Sequence, residues 1–188
     1  MLHEIEGVEQ ERSRVSERPE IDPDVPLLSY VEVAVAGSPE AYARRLREVL
    51  AAVYDLAVRE DLDEEVVPVD TLPAWFVGVC RGGGGTEPTE EFAAEGLAGY
   101  TERTGSGPWE IQDWLSRFHP ELESRGWAFW DLTHPKDGGD RLRLWVDTWG
   151  ESFFAWEELR FLAYVCGARS VADPALAEPG AWAEEASV

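Results

Sequence analysis

The segment at 126–150, GWAFWDLTHPKDGGDRLRLWVDTWG, limits the possible folds most strongly, because it has the pattern of a β-hairpin. Apolar and polar residues alternate on both sides of PKDGG, whose proline and glycines favour a turn. Pairing Trp130 with Leu144 produces one wholly apolar face, which we expect to be core. Its members are Ala128, Trp130, Leu132, Leu142, Leu144 and Val146. A shift of one residue would place leucine opposite aspartate, so the pattern favours this register.

The second face of the predicted hairpin combines aromatic and charged residues, with Asp131 opposite Arg143. We take it as the candidate binding surface or pocket. Its residues, with their neighbours at the strand ends, are Trp127, Phe129, Asp131, His134, Arg143, Trp145 and Trp149. Tryptophan, tyrosine and arginine dominate binding hot spots, which favours a recognition surface. Large exposed apolar patches are rare in monomers, however, and that favours burial of this face by helices. Both alternatives stay open at this point.

The rest of the chain supplies further strands and helices. LLSYVEVAVAG alternates with a period of two and predicts a strand. Ser38 and Pro39 then begin a helix that carries an apolar stripe from Tyr42 to Ala57. AWFVGVC at 74–80 is interpreted as a second, buried strand, and SGPWEIQDWLSRFHP and ESFFAWEELRFLAYVCG as helices. We therefore predict an α+β fold: a mostly antiparallel sheet of about four strands with three to four packed helices, including the tryptophan-rich C-terminal hairpin and a helix after it.

Three regions are expected along the chain. Residues 1–26 contain many acidic and few large apolar side chains, and this composition predicts a mobile acidic arm. Residues 27–172 form one globular domain. Residues 173–188 form an acidic tail that is expected to fray, with Trp182 as the residue able to anchor it.

The charge of the chain restricts its partners. Among 188 residues, 38 are acidic and 16 are lysine or arginine, so the formal net charge is −22. This balance argues against binding nucleic acids or anionic membranes, which need basic surfaces. It permits a basic protein as partner, and simple solubility is the alternative explanation of the charge. No apolar run approaches the length of a membrane span, and the first residues lack the apolar core of a signal peptide. We therefore expect a cytoplasmic protein.

The sequence contains no motif that identifies a reaction. His119 and His134 lack the spacing of a metal site, no GxSxG element is present, and RGGGG lacks the GK[ST] ending of a phosphate-binding loop. Cys80 and Cys166 lie in apolar segments and are interpreted as reduced core thiols. We accordingly predict no catalytic residue, no metal and no cofactor.

Three functions are compatible with these observations. The leading hypothesis is a small acidic cytoplasmic protein that binds another protein, for instance neutralising a basic partner in the manner of an immunity protein. The alternative is an enzyme or binding protein for a small anionic or planar ligand, held in an aromatic pocket beside the 126–150 hairpin. A structural domain with an acidic tether is the third. The sequence sets no oligomeric state.

Overall fold

One antiparallel sheet forms the centre of the computed structural model, which describes residues 4–21, 27–83, 90–122, 124–178 and 180–188. Its strands are β1 (Leu28–Val35), β2 (Ala128–His134), β3 (Arg141–Asp147), β4 (Ala168–Val171), β5 (Ala175–Leu176) and β6 (Ala186–Ser187). The spatial order is β4-β1-β3-β2-β6, and β5 also pairs with β1. The long strands β1, β3 and β2 therefore form the middle of the sheet, and the short strands extend it at its sides.

The described ranges contain six α-helices and one short 3₁₀ helix. They are α1 (Ile5–Ser16), α2 (Pro39–Arg59), α3 (Ala74–Val79), α4 (Glu91–Thr104), α5 (Ile111–Ser116), α6 (Glu157–Val165) and the 3₁₀ helix Ala181–Glu184. The predicted α+β class is confirmed, and so is a hairpin followed by a helix. The expected number of about four strands is too low, because β4, β5 and β6 are too short to show an alternating pattern. None of the helices in these ranges has the length and apolarity needed to cross a bilayer.

The prediction of a strand at 74–80 is wrong, because this segment forms α3. The amide nitrogens of Phe76 and Val77 both donate to the Pro73 carbonyl and close the first turn. Phe76 then packs edge-on against the Trp114 ring, at 4.7 Å between ring centroids. A short, wholly apolar run has the same composition in a helix and in a strand, so its periodicity did not separate the two.

The predicted register of the hairpin is also wrong. Leu132 lies opposite Leu144, a displacement of two residues, and β3 begins at Arg141 after a longer turn than expected. A bulge between Phe129 and Asp131 adds an unpaired residue, Trp130. Bulges change the face to which the following side chains point, and no periodic pattern contains them.

The two faces of the sheet support separate apolar clusters. Val31, Leu132 and Leu144 belong to the main core, together with the apolar faces of α2 and α6. The opposite face carries a smaller group, here called the tryptophan cluster: Leu28, Trp130, Trp145 and Trp182. Because of the bulge, Phe129 joins the main core and Trp130 joins the tryptophan cluster, which reverses their predicted positions.

The segments predicted to be mobile at both ends of the chain are packed on the sheet where the structure describes them. α1 covers residues 5–16 of the predicted arm, and its Val8 and Val15 are buried. In the tail, Trp182 is 2% exposed and β6 pairs with β2. The acidic composition of these segments predicted mobility, but a few buried apolar residues anchor them to the rest of the fold. Residues 1–3 and 22–26 of the predicted arm lie outside the described residues.

Candidate functional site

Four of the residues predicted to form a binding surface are core residues. Trp127, Phe129, Asp131 and Trp145 each have 0% exposure. Trp127 and Phe129 lie in the main core, and Trp145 lies in the tryptophan cluster on the opposite face. Of the two alternatives left open by the sequence, burial therefore holds for these four side chains, and they do not form an open recognition surface.

The three other predicted site residues make separate contacts. His134 Nε2 lies 2.8 Å from the Gly139 carbonyl oxygen, within the hairpin turn. Arg143 donates to Glu185 and lies over the Tyr30 ring, 4.7 Å from its centroid. Trp149 is half-buried and has a left-handed backbone, with φ of 53°. The depression beside the hairpin is lined by His134 but by none of the tryptophans of the described chain, so the expected aromatic pocket is absent there.

Asp131 joins the sheet to both ends of the described chain. Its Oδ1 accepts hydrogen bonds from Arg47 at 3.2 Å and from the Ser187 hydroxyl at 2.8 Å. Its Oδ2 accepts one from Trp182 Nε1 at 3.0 Å and lies 3.6 Å from Arg18 Nε. The predicted pairing of Asp131 with Arg143 is therefore wrong. A carboxylate removed from water needs such partners to remain charged, and here they come from the terminal segments and from α2.

Two arginine side chains lie on indole rings of the tryptophan cluster. The Arg14 guanidinium lies 4.2 Å from the centroid of Trp130, and that of Arg18 lies 4.8 Å from Trp182. The two indole rings meet edge to face, 5.8 Å apart. Cation–π contacts of this kind are worth about 0.5–2 kcal/mol each. They explain why the tail and the segment after α1 lie on the second face of the hairpin.

A buried ion pair joins α1 to the main core. Arg125 donates from two nitrogens to the two oxygens of Glu11, both at 2.7 Å, and both side chains are 1% exposed. Glu11 also accepts from the Tyr54 hydroxyl and from the amide of Phe129, each at 2.7 Å. Desolvation is the largest single influence and lowers the pKa of Arg125, but Glu11, Tyr54 and Glu158 together outweigh it and raise that pKa above its usual range. Burial raises the pKa of Tyr54 well above normal, and the neighbouring carboxylate adds to this.

Sequence reasoning missed this pair, although the sequence contained a signal for it. Val8, Glu11 and Val15 follow helical spacing, and together they form the buried face of α1. A carboxylate within an apolar stripe indicates a buried partner, because an isolated buried charge is too costly. The acidic average of the N-terminal segment obscured this local pattern.

A third buried carboxyl group, that of Glu158 at the start of α6, accepts a hydrogen bond from Trp127 Nε1 at 2.5 Å. Burial raises the pKa of this carboxyl, whereas the hydrogen bonds and Arg125 lower it by less. The folded chain consequently retains the Glu158 proton to higher pH than the unfolded chain does. This difference in the pKa of Glu158 contributes to the free energy of unfolding. The contribution is fully present at a pH below the pKa of the group in the unfolded chain, and it is lost as the pH rises through its pKa in the folded chain.

We expect Glu158→Gln to remove this pH dependence while leaving an oxygen that accepts from Trp127. Relative to the wild type, the free energy of unfolding of the variant should improve as the pH rises from about 4 to neutrality. Urea denaturation of both proteins over this range measures the difference. A constant difference across the range would contradict the raised pKa.

The described residues offer little for nucleophilic or metal chemistry. Cys80 and Cys166 are buried free thiols, as predicted, and burial raises the pKa of both, so they remain protonated and weakly nucleophilic. His119 lies against Asp61 at 3.1 Å. No group of three or more His, Cys, Asp or Glu side chains within the described ranges is placed to hold a metal ion.

The densest exposed charge lies in the acidic loop, residues 60–65 between α2 and α3, which contains Glu60, Asp61, Asp63, Glu64 and Glu65. The loop is anchored on both sides. Leu62 is 1% exposed, and Val67 exchanges two hydrogen bonds with the Gln112 side chain, at 2.8 and 3.1 Å. These contacts hold the carboxylates on a fixed backbone.

Two adjoining depressions lie along the exposed side of α2, and together they are called the α2 groove. The first, about 790 Å³, extends between the N-terminal half of α2 and the ends of β2 and β6. The second, about 950 Å³, lies between α1, α2 and residues 71–73. Both are lined by Ser16, Glu48 and Ala51, so they meet at the end of α1.

Comparisons of the chain with protein-family models, curated proteins and solved structures found no significant match.

Proposed function

We propose that this chain acts by binding a basic protein through its acidic surface. Neutralisation of that partner, in the manner of an immunity protein, is the concrete form of the proposal. A cytoplasmic location belongs to it as well. The observation that carries it is the way in which the chain's own arginines are distributed among its carboxylates.

The arginines concentrate on a few acidic side chains. Asp55 takes both Arg12 and Arg59, and Asp173 takes both Arg103 and Arg160. Asp131 likewise receives two arginines, in its buried position. Because acidic residues number 38 against 16 basic ones, the chain's own lysine and arginines cannot balance its negative charge, and a formal excess of 22 remains. A surface of this kind attracts a basic partner and accelerates its association.

The environments of the reactive groups support binding rather than catalysis. The buried carboxylates Glu11 and Asp131 are saturated by hydrogen bonds within the fold, and the two thiols are protonated. The small-molecule alternative required an aromatic pocket at the hairpin, whereas the Trp127 and Trp145 side chains are each 0% exposed. The acidic surface remains the feature with the clearest chemical preference.

Affinity capture tests this proposal. The immobilised chain is exposed to an extract of the cells that produce it, at about 50 and about 300 mM salt, and bound proteins are identified by mass spectrometry. We expect a protein of high isoelectric point that is retained at the lower salt concentration and released at the higher one. An unrelated folded protein of similar net charge serves as the control bait.

The captured protein is then purified and titrated with the chain. The dissociation constant should rise with salt, and saturation with the chain should abolish any toxic or nucleolytic activity of the partner. The proposal fails if every basic protein captured is bound equally by the control bait, or if the affinity is independent of salt.

A further inference from the structure

The floor of the α2 groove is made of small side chains. Ala43 is 3% exposed, and Ala51 and Ala52 are half-buried. The first depression continues this apolar floor with Val15 and Pro39. Small residues on a helix allow another helix to approach closely, so this floor has the composition of a helix-packing surface.

The rim of the α2 groove is acidic. Its exposed or half-exposed carboxylates are Glu9, Glu17, Glu40, Glu48 and Asp55. A hydrogen bond from Ser38 lowers the pKa of Glu40, which keeps that side chain ionised. The arginines that line the groove, Arg12, Arg44 and Arg47, are each within an ion pair, and the Arg44–Glu48 pair at 4.0 Å is highly exposed. Exposed pairs are worth at most about 1 kcal/mol, so such a carboxylate changes partner readily.

We infer that the α2 groove is a docking site for an amphipathic basic helix of the partner protein. This inference rests on the proposed function and specifies which part of the acidic surface makes the contact. The helix places an apolar ridge on Ala43 and Ala51, and its lysine and arginine side chains reach the carboxylates of the rim. In helix-in-groove recognition the bound helix places its apolar anchors at i, i+3, i+4 and i+7, which form one ridge of this kind.

The length of the surface agrees with such an occupant. From Glu40 to Asp55 the groove follows four turns of α2, about 23 Å at 1.5 Å per residue. A helix of roughly 16 residues covers this distance. The acidic loop presents charge over a shorter stretch, and it lies outside both depressions.

The test uses a synthetic peptide of roughly 16 residues with leucine on one helical face and arginine and lysine on the other. Its affinity is measured by calorimetry for three forms of the full chain. The first is wild type, the second carries Glu9→Gln, Glu17→Gln and Glu48→Gln, and the third carries Asp63→Asn, Glu64→Gln and Glu65→Gln. Both triple variants lose three charges, and none of the six positions is buried, so folding is preserved and is checked by circular dichroism.

We expect the groove variant to weaken binding by about 10-fold or more and the loop variant by about 2-fold or less. A peptide of the same composition in scrambled order, which cannot form the apolar ridge, should bind less tightly than the designed peptide. Ala51→Trp, which fills the floor without altering charge, should weaken binding to the designed peptide and leave the scrambled peptide unaffected.

Equal losses in the two triple variants would overturn the groove as the docking site, while the proposed function would survive as general electrostatic binding. A larger loss in the loop variant would also overturn the inference and move the contact to residues 60–65. Failure of the wild type to bind either peptide, even at about 50 mM salt, would count against both the groove and the proposed function.

Discussion

Arg125→Met should reduce the free energy of unfolding by about 3–5 kcal/mol, the usual cost of leaving one partner of a buried ion pair uncompensated. The substitution leaves the Glu11 carboxylate in the core, 1% exposed, without the guanidinium, while the Tyr54 hydroxyl and the Phe129 amide still donate to it. It also removes a guanidinium that lies 4.8 Å from the ring centroids of both Phe118 and Trp127. Denaturation in urea measures the effect.

The double variant Glu11→Gln/Arg125→Met provides the matched control. Its new glutamine side chain is neutral and retains an oxygen for the Phe129 amide, so the double variant should be more stable than Arg125→Met alone. Additive losses, or a loss of less than about 1 kcal/mol in the single variant, would show that the pair does not bind α1 to the core.

Trp145→Ala should reduce the free energy of unfolding by about 3–5 kcal/mol, as expected for removing a large buried aromatic residue. Trp145 is 0% exposed, packs on Tyr30 at 5.2 Å between ring centroids, and donates from Nε1 to the Thr133 hydroxyl at 2.7 Å. Its loss empties the centre of the tryptophan cluster and leaves that hydroxyl without its donor.

Trp145→Phe separates the two contributions, because it retains a ring and removes the indole nitrogen. Its cost should be clearly smaller than that of Trp145→Ala and include about 1 kcal/mol for the hydrogen bond. If Trp145→Ala leaves the urea midpoint unchanged, the tail does not cover this side chain in solution, and the open-surface interpretation of the hairpin returns.

The sequence predicted correctly those helices and strands in which the spacing of apolar residues matches the side that is buried in the folded chain. α2 begins at Ser38 and Pro39 and buries the stripe read from the sequence, because capping and amphipathicity are both local properties. The long strands β1, β2 and β3 were found through their alternation in the same way. Two buried thiols followed from apolar context alone.

The remainder depends on contacts between distant residues. Trp130, the unpaired residue of the bulge, packs on Trp182, and Asp131 accepts hydrogen bonds from Trp182 and Ser187. No local pattern connects these tail residues to the hairpin. The burial of the hairpin tryptophans also depends on contacts between residues that are distant in the sequence. Tryptophans beside an arginine have the composition of a binding surface, but Trp145 packs with Trp182 of the tail and Trp127 lies in the main core.

The order in which the strands are synthesised affects how the chain folds on the ribosome. β1 is completed at Val35, whereas its partners β3, β4 and β5 begin at Arg141 or later. At a translation rate of about 5–20 residues per second, this apolar strand waits roughly 5–20 seconds before any of its sheet partners is synthesised. During that interval the nascent chain can form helices such as α2 but not its sheet. The emerging polypeptide is therefore expected to need a chaperone at the exit tunnel, and to complete its fold only late in translation.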